Sequence, residues 1–213
     1  MSLFGIDEPA EPNRFLRAGA LDRDDQQGLA EAVAEVMRAA PPFTPRMPRT
    51  GKPFSVRMTN CGPLGWVSDI DGYRYQDHHP ETGAPWPPMP APIAALWERF
   101  ADYPAPAEAC LINVYAADAR MGLHRDEDEK DFGAPVVSVS LGDECRFRIG
   151  GPTRKGPTRS FRLRSGDVVV LAGDDRLAYH GVDRIYLGTG PVGLDLPAGA
   201  RVNLTLRRVS AAS

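Results

Sequence analysis

The apolar positions of the chain follow a helical period in two places, both in its first half. The first segment begins after Asp22 or Asp24, either of which can cap a helix, and it ends at Pro41. Its apolar stripe consists of Leu29, Val33, Val36 and Met37. The second segment is Pro92–Phe100, with proline in its first turn. The sequence therefore predicts two helices whose apolar faces belong to the core.

Short extended runs, separated by glycine, proline and aspartate, fill most of the remaining chain. Residues 1–20 are predicted to be an irregular lead-in, and residues 43–90 hold weak strands joined by long connections of the kind that form lids. The weak strands are Ser55–Thr59, Trp66–Ser68 and Tyr73–Tyr75. The stronger ones are Ala109–Tyr115, Val136–Leu141, Asp167–Leu171 and Arg201–Arg207. Many short strands at regular spacing favour a sandwich or jelly roll.

The last of these strands has an unusual polar face. In extended geometry one face carries Arg201, Asn203, Thr205 and Arg207, while the other carries only apolar residues. The two arginines lie six residues apart, which is about 20 Å at roughly 3.3 Å per residue. Guanidinium groups suit bidentate contacts with carboxylates. The pattern predicts a site for a small dicarboxylate, and the alternative is a charged edge strand that discourages aggregation.

Composition limits the class of protein without identifying it. The chain has 213 residues, 42% of them hydrophobic, which suits one sizeable core, and a net charge of −3 gives no overall attraction to nucleic acid. Residues 37–67 and 145–166, however, are basic windows without a single acidic residue, as phosphate contacts require. Ordinary solvated loops remain the alternative for either window.

The cysteines and the lengths of the apolar runs indicate the cellular compartment of the protein. Cys61, Cys110 and Cys145 are isolated, which argues against a disulfide scaffold and suits a reducing compartment. No apolar run approaches the roughly 18 residues of a membrane span, and the first residues do not resemble a signal peptide. We therefore expect a cytoplasmic monomer that does not enter a membrane.

A candidate metal site lies between the strong strands. His124 and Asp126 are two residues apart, so their side chains point the same way in an extended segment. With His180 they would supply two imidazoles and one carboxylate, the set that non-haem Fe(II) oxygenases use. Taken alone, His124-Arg125-Asp126 is weak evidence, because residues 126–129 are all acidic and could form a solvated loop.

The order of these motifs resembles that of the 2-oxoglutarate/Fe(II) dioxygenases, and specifically the AlkB family. The resemblance covers about residues 50–207. It rests on His124-Arg125-Asp126, on His180, and on Arg201-Val202-Asn203-Leu204-Thr205-Leu206-Arg207. Supporting motifs are Met58–Gly62 with Leu64–Trp66, Gly72–Tyr75, Leu111–Tyr115, Pro135–Gly142 and Gly166–Val170.

The resemblance implies a mainly β fold, a double-stranded β-helix (jelly roll) with N-terminal helices and a nucleotide-recognition lid. The helices and lid would occupy residues 1–105 and the catalytic core residues 106–213, together one compact unit. Fe(II) would bind His124, Asp126 and His180, and O₂ would be consumed. 2-Oxoglutarate would bind Arg207 near the metal and Arg201 at its far end. Asn113, Tyr115 and Asn203 would assist.

The resemblance also implies an activity. The enzyme would be an oxidative demethylase that removes methyl groups from 1-methyladenine and 3-methylcytosine, releasing formaldehyde, succinate and CO₂. Its partner would be alkylated DNA, single- or double-stranded, and also RNA. Substrate contacts would come from Met58, Trp66, Tyr73, Asp128, Glu129, Ser138 and Arg154. Trp66 and Tyr73 could equally be packing residues, and Asp128 and Glu129 could equally be solvated.

Two residues depart from the pattern of the family, and two other functions remain as alternatives. Arg125 stands where the family usually has glutamine, and Arg120 stands where a lysine is expected, which bears on substrate range. His78 and His79 are predicted to be surface residues with no metal role. The main alternative function is a 2-oxoglutarate-dependent hydroxylase of a protein or small molecule. A metal-stabilised module that binds nucleic acid without turnover is the other.

Overall fold

The computed structural model describes residues 14–196 and 201–211. Helix α1 spans Arg23–Ala39 and is capped by Asp22, whose carboxylate accepts from the Asp25 amide while the Asp25 carboxylate accepts from the Asp22 amide. Helix α2 spans Ala91–Phe100 and begins after Pro90. Both helices lie within about two residues of the segments that the helical period predicts.

Six strands form the major sheet, in the order β1-β10-β7-β12-β5-β2. All neighbours within it are antiparallel. The bounds are Leu16–Arg17 (β1), Val56–Cys61 (β2), Ala109–Tyr115 (β5), Val136–Gly142 (β7), Val168–Leu171 (β10) and Arg201–Arg207 (β12). Strand β12 lies in the interior of the sheet, between β5 and β7, so the alternative of a charged edge strand is wrong.

A four-stranded minor sheet, in the order β6-β11-β8-β9, faces the major one. Its strands are Met121–His124 (β6), Glu144–Gly150 (β8), Thr158–Leu163 (β9) and His180–Tyr186 (β11), and a 3-10 turn, Gly173–Asp175, precedes β11. A separate hairpin consists of Gly65–Asp69 (β3) and Gly72–Gln76 (β4). This two-sheet arrangement is the expected jelly roll with helices at its N-terminal side.

The two faces of the major sheet bury different groups. Val202, Leu204 and Leu206 of β12 pack with α1 and α2 in one apolar cluster. The opposite face points between the two sheets, where Met58, Leu111 and Tyr115 meet Phe147, Val182 and other minor-sheet residues. Since the apolar side chains of β12 pack against the helices, its polar side chains point the other way, into the space between the sheets.

Two details modify the predicted organisation. Residues 16–17 of the expected irregular lead-in are a strand that pairs with β10, while residues 1–13 lie outside the described part of the chain. Strand β2, which precedes residue 105, completes the edge of the major sheet beside β5. The division of the chain at residue 105 stays a prediction. No helix in the described part of the chain is long and apolar enough to cross a membrane.

Candidate active site

Three side chains from β6, β11 and the loop after β6 converge between the sheets. His124 ends β6, Asp126 follows it in the loop, and His180 begins β11 directly opposite His124. Their potential ligand atoms all lie within 4.8 Å of one another. The Nε2 atoms of His124 and His180 each lie 4.0 Å from an oxygen of Asp126. The sequence therefore predicted a set of residues that the fold does bring together.

Backbone carbonyl groups fix the orientation and the tautomer of the two imidazole rings. Nδ1 of His124 lies 2.9 Å from the Gly122 carbonyl oxygen, and Nδ1 of His180 lies 2.9 Å from that of Ala178. Since a carbonyl only accepts hydrogen bonds, each Nδ1 carries the proton and donates it. Each Nε2 is then left with its lone pair directed at the cluster, as in metal-ligating histidines.

The charge states suit a divalent cation. Burial, reinforced by the neighbouring His124, lowers the pKa of His180 to about 4, so this imidazole is neutral at pH 7. Burial on its own would raise the pKa of Asp126, but Arg207, His180 and His124 outweigh it and hold that pKa well below its usual range. Neutral imidazoles with an ionised carboxylate are the forms that bind a metal.

Arg201, at one end of the polar face of β12, is a buried cation. Its side chain donates from Nη2 to Ser140 Oγ at 2.7 Å and from Nη1 to the Asp143 carbonyl oxygen at 3.2 Å, but its Nε has no partner. It forms no ion pair with the carboxylates of the described residues, and only 1% of it is exposed. A buried guanidinium without a counter-charge costs several kcal/mol, so this position fits an anion.

Arg207, at the other end of that face, lies beside the metal cluster. Nη2 is 2.9 Å from Asp126 Oδ1 and Nε is 3.4 Å from Glu129 Oε1, while Nη1 has no hydrogen-bond partner. Burial alone would lower the pKa of Arg207, but Asp126, Tyr75 and Glu129 together raise it. One edge of this guanidinium is thus held in place, and its Nη1 remains available to a further anion.

Amide and hydroxyl groups line the space between the two arginines. Asn203 donates through Nδ2 to Ser138 Oγ and to the Val139 carbonyl oxygen, both at 2.9 Å. Asn113, across from Asn203 in the sheet, has a buried Oδ1 without a partner. Tyr115 is opposite Arg201, and burial raises the pKa of its phenol although Arg201 lowers it, so the hydroxyl remains a hydrogen-bond donor.

The metal cluster and the arginine face open into one cavity of about 330 Å³. This volume is in the range of small-molecule sites. Its lining includes all the residues that the sequence assigned to metal, cosubstrate or substrate. They are His124, Asp126, His180, Asn113, Tyr115, Arg201, Asn203, Arg207, Met58, Trp66, Tyr73, Asp128, Glu129, Ser138 and Arg154.

The β3–β4 hairpin brings an aromatic pair to the cavity. The rings of Trp66 and Tyr73 stack with centroids 5.7 Å apart and planes 18° apart, and Tyr73 is 52% exposed. Trp66 Nε1 donates to Asp128 Oδ2 at 2.7 Å. Burial raises the pKa of Asp128, although the hydrogen bond from Trp66 lowers it. A carboxylate therefore lies at the edge of a stacked aromatic surface.

Comparisons with known proteins decide the family. A family model described as the 2OG-Fe(II) oxygenase superfamily matches residues 16–207. The chain is 44% identical to the alpha-ketoglutarate-dependent dioxygenase AlkB of Escherichia coli over 214 residues, covering 98% of this chain and 97% of that protein. This chain belongs to the AlkB family.

Two further relatives support the assignment of this chain to the AlkB family. It is 53% identical over 194 residues to an alpha-ketoglutarate-dependent dioxygenase AlkB homolog of Caulobacter vibrioides, covering 91% of this chain and 86% of that protein. The solved structure of OsALKBH1 superposes with a TM-score of 0.77 at 29% identity, covering 91% of this chain and 95% of that one. The expected fold class is thereby confirmed, and so is the assignment as a 2-oxoglutarate/Fe(II)-dependent dioxygenase.

Fe(II), 2-oxoglutarate and O₂ are the cofactor and cosubstrates of this AlkB-family enzyme. The residues present fit them. Asp126 Oδ2 is buried without a hydrogen-bond partner beside two Nε2 lone pairs, which suits a two-histidine, one-carboxylate iron site. The unpartnered atoms of Arg201 and Arg207 lie at the two ends of a polar face, as a dicarboxylate requires.

Sequence reasoning missed a buried network beneath this AlkB-family site. Glu129 accepts from the Tyr75 hydroxyl and lies 3.1 Å from Arg176 Nη2, and Arg176 also donates to the Asp126 and Ala134 carbonyl oxygens. Arg176 is 2% exposed. An isolated arginine in a polar turn carries no signal of burial in sequence, so only the fold could identify it.

Two expectations need correction. His79 is 1% exposed rather than a surface residue, because its ring packs between Phe43 and Trp86 and its Nε2 lies 2.8 Å from the Pro41 carbonyl oxygen. Glu129 is not in a solvated acidic loop, since it is 5% exposed and both its oxygens have protein partners. A direct contact of Glu129 with substrate stays a prediction.

The two departures from the family pattern lie in different places. Arg125 lines the cavity, forms an ion pair with Glu127 and places its guanidinium 5.5 Å from the centre of the Tyr179 ring. Arg120 is exposed and lies outside the cavity lining, in a second depression on the far part of the minor sheet.

Proposed function

We propose that this enzyme demethylates N-alkylated bases, with 1-methyladenine and 3-methylcytosine as substrates, in DNA and also in RNA. One observation carries the proposal, which is that a single cavity joins the His124–Asp126–His180 cluster to the Trp66–Tyr73 stack and the Asp128 carboxylate. Both methylated bases are flat and cationic at neutral pH. An aromatic face beside a carboxylate suits such a ring.

The relatives support a nucleic-acid substrate. A protein named nucleic acid dioxygenase ALKBH1, from Mus musculus, is 32% identical over 170 residues, and one named tRNA demethylase abh1, from Schizosaccharomyces pombe, is 37% identical over 111 residues. These names do not favour the alternative of a protein or small-molecule hydroxylase. We place the enzyme in the cytoplasm as a monomer, which is consistent with its three buried free cysteines.

The iron ligands in this proposal are His124 Nε2, His180 Nε2 and the Asp126 carboxylate. When bound, the iron and 2-oxoglutarate supply the oxidation, in which O₂ is consumed, 2-oxoglutarate becomes succinate and CO₂, and the N-methyl group is hydroxylated. The carbonyl oxygens of Gly122 and Ala178 hold the two rings in the ligating tautomer. The hydroxymethyl group then leaves the base as formaldehyde.

The polar face of β12 orients the cosubstrate. Arg207 would take the carboxylate near the metal through Nη1, while Arg201 and the Tyr115 hydroxyl would take the distal carboxylate. Asn113 and Asn203 would contact the molecule between its two ends. Because the arginines are buried and held by the protein before binding, little side-chain entropy is lost when the diacid binds.

The mouth of the cavity orients the base. The base would stack on the aromatic surface that Trp66 and Tyr73 form together, and Asp128 would favour its positive charge or accept from its exocyclic amine. Met58 and Ser138, which line the same cavity, would contact the base, and Arg154, which is exposed, would contact the phosphate backbone. A methylated base pairs poorly, so it costs less to extrude from a duplex than a normal base does.

The decisive experiment is turnover of a short oligonucleotide that contains one 3-methylcytosine, with Fe(II), ascorbate and 2-oxoglutarate. We expect the product mass to fall by one methylene unit and formaldehyde to appear in equal amount. Succinate formation without any change in the oligonucleotide would refute the demethylase assignment while leaving the dioxygenase assignment intact.

The aromatic pair gives a second test, Trp66→Ala. We expect turnover of the methylated oligonucleotide to fall about tenfold or more, since a stacked base contributes roughly 1–3 kcal/mol, while the affinity for 2-oxoglutarate stays unchanged. Phe54→Leu is the control. It changes another aromatic neighbour of Trp66, with ring centroids 6.3 Å apart and an edge-to-face arrangement, and it should have a smaller effect. Equal losses in base turnover and 2-oxoglutarate binding would show that Trp66 is a packing residue.

A further inference from the structure

The outer face of the minor sheet carries a row of three arginines across three adjacent strands. Arg146 of β8 is directly opposite Arg162 of β9 on one side and Arg184 of β11 on the other. All three side chains are exposed. Like charges directly opposite one another on adjacent strands are destabilising, so folding stability does not explain this row.

Most of the positive charge in the row is not neutralised within the protein. Arg162 pairs with Glu144 at 2.9 Å, but the structure shows no ion pair for Arg146 or Arg184 in residues 14–196 and 201–211. Of the two acidic residues that line the same depression, Asp183 is paired with Arg148 at 3.0 Å, and Asp118 is the other. The face is therefore locally cationic on a chain with a net charge of −3.

An aromatic ring and a fourth arginine complete this surface, which we call the arginine groove (Arg120, Arg146, Arg162, Arg184 and Tyr186). The guanidinium carbons of Arg162 and Arg184 lie 4.2 and 5.5 Å from the centre of the Tyr186 ring. The groove has a volume of about 770 Å³ and Arg120 lines it on the side of β6. Stacking on Tyr186 holds two guanidinium groups in place, which lowers the entropy lost when they bind an anion.

Two strands connect the arginine groove to the metal cluster. Strand β11 begins at His180 and ends at Tyr186, and β6 runs from the residue after Arg120 to His124. Six residues of extended chain span about 20 Å at roughly 3.3 Å each. A nucleic-acid strand advances about 3.4 Å per nucleotide along a duplex, so a strand that reaches the groove from a base at the metal spans at least about six nucleotides.

We propose that the arginine groove binds backbone phosphates of the same nucleic acid, at least about six nucleotides away from the methylated base. This proposal rests on the proposed function and adds a second contact site to it. Guanidinium groups bind phosphates bidentately, and grooves that combine arginines with an aromatic ring suit a nucleic-acid backbone. The contact carries no sequence information; it supplies affinity and holds the strand across the enzyme.

Substrate length tests the proposal on the wild-type enzyme. We compare oligonucleotides in which the 3-methylcytosine has two flanking nucleotides on each side with ones that have ten. The longer substrate should bind about tenfold more tightly at low salt, and the difference should shrink as salt rises, because phosphate contacts release counterions. Equal affinities at both lengths would overturn the proposal.

A double variant, Arg146→Ala with Arg184→Ala, removes the two unpaired members of the row. We expect the affinity for the long substrate to fall about tenfold and the slope of log K against log salt to decrease in magnitude by roughly two, one for each lost phosphate contact. Turnover of the short substrate should be unchanged. Arg17→Ala with Arg23→Ala removes the same charge from exposed positions on β1 and α1 that lie outside both basic windows, and it should leave both substrates unaffected.

The outcomes separate this inference from the function on which it rests. If neither substrate loses its methyl group, the proposed function fails; if both are demethylated but the double variant binds the long substrate as well as the wild type does, only the groove proposal fails. Arg146→Lys with Arg184→Lys keeps the charge but loses the bidentate contacts, so it should keep the salt dependence of the wild type and lose less affinity than the double alanine variant. If polyglutamate of similar length competes as strongly as unmethylated DNA, the assignment of the groove to nucleic acid is overturned.

Discussion

His124 and Asp126 could be identified from sequence because their spacing is local, whereas His180 could not be identified in that way. His180 lies on β11, which becomes the neighbour of His124 only in the folded chain. In the sequence, only the order of motifs shared with the dioxygenases indicated His180. His78 and His79 show the limit of local reasoning. They are adjacent in a polar loop, yet one is exposed and the other is packed against two aromatic rings.

At the metal we predict that His124→Ala lowers 2-oxoglutarate decarboxylation by more than about 100-fold. Loss of an outer partner of a metal ligand already costs roughly 10- to 100-fold, and His124 is a proposed ligand itself. The far-ultraviolet circular dichroism should stay native, because His124 is part-exposed at the end of its strand. His78→Ala, at an exposed histidine, is the matched control and should retain full activity. A fully active His124→Ala enzyme would refute the metal assignment.

Glu129 gives a prediction about stability. Glu129→Ala should lower the free energy of unfolding by about 3–5 kcal/mol, because it leaves the buried guanidinium of Arg176 without a counter-charge. Urea denaturation would measure it. Glu127→Ala, two residues earlier in the same loop but exposed, should have little effect. Similar losses in the two variants would show that burial of the Glu129–Arg176 pair does not matter.

At the scale of elements, β12 was predicted with its correct ends, because its strict alternation suits a strand with one face on helices and one lining a cavity. Strands β8 and β9 were harder to place. Their exposed face is rich in arginine, and in sequence such residues look the same in a strand as in a solvated loop. The buried partners that distinguish the two, such as Phe147 and Leu163, are non-local.

The contact between β6 and β11 depends on Gly181. A Cβ atom there would lie 2.5 Å from the Met121 carbonyl oxygen and 3.0 Å from that of Gly122, so β6 would have to move. Since β6 ends at His124, we predict that Gly181→Ala weakens Mn(II) binding roughly 10- to 100-fold. Electron paramagnetic resonance of the free ion would measure this affinity.

Gly122→Ala is the control for that substitution. It lies on the facing strand, and a Cβ atom there meets nothing within 4 Å. We expect its Mn(II) affinity to stay close to that of the wild type. If both alanine variants bind Mn(II) normally, the approach of the two strands does not set the geometry of the metal site.

At the scale of the whole molecule, Glu108 ties the last described residues to the sheet. Its carboxylate accepts from the amides of Val209 and Ser210 and from the Ser210 hydroxyl. Burial alone would raise the pKa of Glu108, but these donors, with Arg208, lower it. Because the pKa is lower in the folded state, this stabilisation is present above the unfolded-state pKa and is lost as the pH falls through the folded one.

Glu108→Gln should therefore lower the melting temperature near neutral pH by about 2–4 °C, the shift that roughly 1 kcal/mol produces in a chain of this size. The difference from the wild type should shrink as the solution is acidified below the usual pKa of glutamate. Thermal melts from pH 7 downward would show it. A difference that stays constant with pH would mean that the charge of Glu108 contributes nothing.

The central position of β12 has a consequence for biosynthesis. This strand carries the two arginines that we propose bind the diacid, and it fills the gap between β5 and β7, yet a ribosome translates it after every other strand of the described residues. Until it emerges, a nascent chain has two long unpaired strand borders inside its sheet, which are templates for aggregation. We expect a chain terminated at residue 196 to be recovered in inclusion bodies, and recovery of a folded, dispersed product would contradict this.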